Sequence, residues 1–137
     1  MGPSPVNTGR NDLGKVLVRT SAELAETPWE DMPGIEGATQ KVLWQSGAVV
    51  IGLIRVEAGR TKPEHTHHGA HHHMLITHGS CVMLGRRVDE GSYVYVPPGV
   101  PHAVDDVGPD GVEFFYTHRP VEIGPVGDDE EYVAHPV

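Results

Sequence analysis

The stretch His65-Thr66-His67-His68-Gly69-Ala70-His71-His72-His73 packs six of the chain's ten histidines into nine residues, and strand-like sequence flanks it on both sides. A purification tag would be terminal and unbroken, whereas this run is internal and interrupted. Imidazole is the commonest protein ligand for zinc and a good one for copper, nickel and iron. On a strand, His65 and His67 point to one face because successive side chains alternate. Beyond Gly69-Ala70, His71 and His72 point to opposite faces, so one of them can join the first pair. His72 brings Met74 and Ile76 with it as an apolar wall, while His71 would bring His73, Leu75 and Thr77. A solvated histidine-rich loop that holds metal loosely is the competing reading.

Outward from this run the pattern is β. Strands are expected at Lys41 to Gln45, Ala48 to Glu57, His73 to Thr77, Cys81 to Leu84, Tyr93 to Val96 and Val112 to His118, with glycines between them. No later stretch has the length and period of a helix, so a sandwich or barrel is expected rather than βαβ units. The prolines of Val96-Pro97-Pro98-Gly99-Val100-Pro101-His102 stop a strand and build a rigid turn that can aim His102. Earlier, Lys15 to Arg19 alternates like a short strand, and Thr20-Ser21-Ala22-Glu23 starts one or two helical turns with a capping box.

The length of 137 residues suits one domain. A leader at 1–14, a barrel at 15–120 and an acidic tail at 121–137 that holds Asp128 to Glu131 are expected. The leader lacks the basic start and apolar centre of a secretory signal, and the longest apolar run is far too short to span a bilayer, so a cytoplasmic location is expected. A net charge of −9 is the wrong sign for nucleic acid. Cys81 is the single cysteine. It offers neither a disulfide framework nor a cysteine metal knuckle, and a buried structural thiol is expected.

Two spaced patterns carry a resemblance. Gly59-x5-His65-x-His67-x4-His72-x6-Gly79 resembles the first cupin motif, with His72 where a glutamate is usual. Gly91-x5-Pro97-x-Gly99-x2-His102-x3-Asp106 resembles the second, with Asp106 where asparagine is usual. The resemblance implies an all-β fold, the cupin double-stranded β-helix or jelly-roll barrel with a short N-terminal extension. It also implies a divalent metal held by His65, His67, His72 and His102. An imidazole in place of the glutamate leaves the full charge on the ion, which favours Zn2+ and also suits Fe, Mn, Ni or Cu, at the expense of magnesium and calcium.

The chain is similar to small four-histidine cupins, which include bacterial aromatic polyketide cyclases. That likeness implies Lewis-acid closure of a poly-β-ketone by aldol condensation, with a small-molecule substrate. A dioxygenase of enolic or catechol-like molecules is the alternative, and a non-catalytic zinc-binding sensor domain is the second alternative. No catalytic residue beyond the metal centre is assigned. His68, His73 and His135 are expected at the surface, as is His118, and the habit of small cupins implies a homodimer.

Overall fold

A computed structural model describes residues 16–33, 35–60, 62–65 and 70–120. The expected leader and acidic tail, and His67 and His68 of the histidine run, lie outside the described residues. The order of elements is β1 (Glu30–Asp31), β2 (Ala38–Ser46), β3 (Val49–Val56), β4 (Lys62–His65), β5 (Ala70–Met83), β6 (Arg86–Asp89), β7 (Tyr93–Val96), β8 (His102–Val104) and β9 (Val112–Pro120), preceded by helix α1 (Ser21–Glu26). Seven strands form one antiparallel sheet in the order β1-β2-β3-β9-β5-β6, with β7 also paired to β5. The ribbon β4-β8 forms the second sheet. This is the expected all-β jelly roll.

Alternation along the strands sorts the side chains. On β5 the residues Ala70, His72, Met74 and Ile76 are buried, and Leu75 between them is exposed. Cross-strand register carries the inner row onward: Ile76 faces Phe114, which faces Ile54, and Met74 faces Tyr116. These residues form the core with Val56, Cys81, Met83, Val96, Val104 and Val112. Each large apolar side chain so buried contributes about 1.5–3 kcal/mol relative to an exposed one.

Three expectations need correction. The strands expected at His73 to Thr77 and at Cys81 to Leu84 are one strand, β5, which runs through Gly79 instead of turning there. Gly79 sits at φ 75, and a Cβ on it would meet the carbonyl oxygen of Gly111 at 1.9 Å. The glycine therefore serves a close backbone approach beside the bulge between Ile76 and His78. Residues 16–20 form no strand, and Val16 and Val18 are exposed. Strands β1, β6 and β8, each of two to four residues, are not among the expected strands.

The capping box is present as expected. The Thr20 hydroxyl accepts from the Glu23 amide, and the Glu23 carboxylate accepts from the Thr20 amide. Hydrogen bonding from the Thr20 amide, followed by its hydroxyl, holds the Glu23 carboxyl below its ordinary pKa. Helix α1 has no buried residue. Its segment is pinned to the outer face of β2 by cations: Arg19 donates to the carbonyls of Val42 and Leu43, and Lys41 Nζ donates to Leu24 O at 2.5 Å. Lys41 and Arg55 also lie over the Trp29 ring, at 4.8 and 4.2 Å.

Candidate metal centre

His72 and His102 meet inside the barrel. His72 comes from β5 and is 4% exposed, and His102 opens β8 and is 7% exposed. Their rings lie 5.4 Å apart between centroids. His72 Nδ1 and His102 Nε2 are separated by 3.4 Å, long for a hydrogen bond. Two nitrogens on one zinc at about 2.0–2.1 Å would lie about 3.3–3.4 Å apart at a tetrahedral angle and about 2.9 Å apart at a right angle. The observed spacing therefore fits a pair of nitrogen ligands to one ion.

The sequence explains how each ring is aimed. Gly99 at φ 83 and the prolines around it fold the chain back after β7. His102 Nδ1 then lies 3.1 Å from Val100 O. Donation from that nitrogen leaves the lone pair on Nε2, the atom facing His72. On β5 the alternation puts His72 inward, while His71 stacks on Tyr95 outside, so the inner neighbours are Met74 and Ile76. His65 is the register partner of His102 in the β4-β8 ribbon. Of the four residues named from the motifs, His72 and His102 are thus brought together, His65 is placed by its backbone beside them, and His67 lies outside the described residues. Among the described residues no group of three or more His, Cys, Asp or Glu side chains is gathered at ion-binding distance.

Two expectations about neighbours change. His118 is half-buried rather than at the surface: it is the register partner of His72, with ring centroids 6.0 Å apart, and its Nδ1 lies 3.3 Å from Ala48 O. Period-two alternation of Phe114, Tyr116 and His118 was the available signal. His73 is also half-buried, and burial, followed by the positive neighbours His71 and Arg119, lowers its pKa. Tyr116 completes the inner surroundings, edge-on to His72 at 5.8 Å. Asp106 stands at φ 43 and is exposed, paired with Arg87 by a short contact, so it belongs to the loop after β8 and not to the histidine pair.

The space beside the two histidines is about 10 Å³, walled by Met74, Met83, Val94, Val96, Val104 and Phe114. That is room for about one water-sized body. A larger groove of about 530 Å³ lies elsewhere, on the outer face around Trp29, Arg55, Glu57, His78, Asp110 and Glu113. It contains neither buried histidine, and Arg55 and Thr77 already engage the Glu113 carboxylate within it. The chemistry of the donor atoms therefore points to the smaller space. Cys81 is fully buried, and burial pushes its thiol up to about 11, as befits a structural residue.

Comparison with solved structures gives the same architecture. An RmlC-like cupin from Shewanella frigidimarina is 22% identical, with a TM-score of 0.61 over 72% of this chain and 87% of its own. The polyketide cyclase RemF from Streptomyces resistomycificus is 20% identical, with a TM-score of 0.62 over 90% and 95%. A predicted oxalate decarboxylase from Thermotoga maritima is 16% identical, with a TM-score of 0.63 over 71% and 96%. At these identities the likeness is one of fold. No curated protein matches the chain. No described helix is long and apolar enough to cross a membrane. The description of the ChrR cupin-like domain matches residues 17–122, nearly the whole barrel with its helical extension, and the chain belongs to that cupin family.

Proposed function

We propose that this cupin is a metal-dependent enzyme in which His72 and His102, completed by His65 and His67, hold a divalent ion, Zn2+ first among the candidates, for Lewis-acid cyclisation of a poly-β-ketone. The observation that carries the reading is the buried pair of imidazole nitrogens 3.4 Å apart in an apolar wall. The likeness to RemF over nearly the whole of both chains supports the choice of reaction. A bound divalent ion would supply polarisation of a carbonyl oxygen. Val100 O fixes the tautomer and orientation of His102, and the β5 backbone fixes His72, so the two donors are preorganised. Met74, Val94, Val96 and Phe114 exclude bulk water from the pair and strengthen local electrostatics.

A second reading, a non-catalytic zinc-binding domain, is favoured by one observation. Among the described residues, the space beside the pair suits an ion and not a polyketide chain, and four imidazoles in a tetrahedron leave no open position. Metal analysis of tag-free protein, with X-ray absorption to count ligands and an oxygen-uptake assay on enolic substrates, separates the readings. The cyclase predicts stoichiometric zinc with at least one oxygen ligand and no oxygen uptake. Four nitrogens with none exchangeable would favour the non-catalytic domain. Iron or manganese with oxygen uptake would overturn the cyclase in favour of a dioxygenase.

A further inference from the structure

Two histidines of the run remain outside the barrel chemistry. His71 and His73 lie two residues apart on the outer face of β5, with Cα atoms about 6.6–6.8 Å apart along a strand. Each is joined at Nδ1 to a tyrosine hydroxyl of β7: His71 to Tyr95 at 2.7 Å and His73 to Tyr93 at 2.6 Å. The Tyr95 ring lies against both imidazoles, at 5.9 and 4.8 Å, and Tyr93 lies 6.0 Å from His73. The result is an interleaved ladder of two imidazoles and two phenols on the outside of the sheet.

We infer that this ladder is a second metal site, distinct from the interior pair, taking a late d-block divalent cation through the Nε2 atoms of His71 and His73. A hydroxyl that accepts from Nδ1–H leaves the lone pair on Nε2, and a fixed second nitrogen is the usual support for a metal-binding histidine. With the hydroxyl as acceptor, Tyr93 supplies such a support to His73. Closing two imidazoles on one ion requires Tyr95 to pivot outward, and at 41% exposure it has room to do so. Two neutral nitrogen donors on a half-buried outer face suit Cu2+ best, then Ni2+ and Zn2+. The site does not depend on the interior centre, because His72 points to the other face of β5, where it meets His102.

The test is a calorimetric titration of tag-free, metal-stripped protein with Cu2+, paired with its electron paramagnetic resonance spectrum. The expected result is a second equivalent with nitrogen ligands that survives in His102→Ala and disappears in the His71→Ala/His73→Ala double variant. Tyr93→Phe should weaken that equivalent about 10- to 100-fold. Circular dichroism confirms that each variant is folded. An equal second equivalent in the folded histidine double variant would overturn the inference, as would its absence from the wild type. Unchanged affinity in Tyr93→Phe would overturn the role given to its hydroxyl.

Discussion

The two faces of β5 put the same side chain to opposite uses. His72 faces inward, 4% exposed, against His102 and an apolar wall. His71 and His73, one residue to either side, face outward against tyrosines. Composition is identical at the three positions, so only register separates an ion-sized interior from a solvent-facing ladder. The same division runs across β9, where Phe114 and Tyr116 are buried and Phe115 and Thr117 are half-buried. Placement on the sheet, more than residue type, decides what these aromatic and heterocyclic groups can do.

The comparison can be broken most severely at the phenylalanines. Phe114→Ala should cost about 3–5 kcal/mol in a urea melt through lost burial and an unfilled cavity, whereas Phe115→Ala should cost less than half as much. Equal losses would mean that the outer face is covered as thoroughly as the inner one. For the histidines, His72→Ala should abolish the interior metal equivalent, while His71→Ala should leave it within about threefold, as read by metal analysis after dialysis. Retention of that equivalent by His72→Ala would remove the inner face from metal binding altogether.

Thiol chemistry sharpens the contrast further. Cys81, fully buried with its thiol pushed up to about 11, should resist alkylation at pH 8 in the folded protein and react within minutes in denaturant. Rapid labelling of folded protein would show that the core opens easily. The smallest effect belongs to Lys41, the exception on the outer face, 6% exposed beneath the α1 segment. Desolvation, followed by repulsion from Arg55, depresses its pKa in the folded state. The unfolded chain then holds the proton over the window between that depressed value and 10.5, so Lys41's contribution to stability rises with pH through the window. Lys41→Met should flatten that rise in melts at stepped pH, and an unchanged slope would remove Lys41 as its source.

Much of this division was legible in the sequence. Alternation placed Met74 and Ile76 inside along with His72, and the proline turn marked His102. His118 carried the same period-two signal but closes an aromatic strand, where surface and interior positions look alike. Gly79 misled because a glycine required by a backbone 1.9 Å from its absent Cβ reads like one required by a turn. Strands such as β4 and β8 are too short to show alternation, so the pairing of His65 with His102 emerges only from tertiary register. The outer ladder was hidden for a different reason: the hydrogen bonds of His71 and His73 to Tyr95 and Tyr93 join positions 24 and 20 residues apart.

Helix α1 has a consequence for how the molecule breathes. It buries nothing and is anchored through Arg19 and Lys41, with hydrogen bonds to carbonyls in place of an apolar seam. Such a segment opens at a free-energy cost well below that of the whole domain. Its amides would exchange with solvent while those of the β5-β9 ladder remain protected, and a protease could enter there first. The barrel would survive the detachment, because the core contains no residue of the helix. The chain therefore has two tiers of permanence: a slow interior that keeps the histidine pair in place, and a fast outer strap that comes and goes above it.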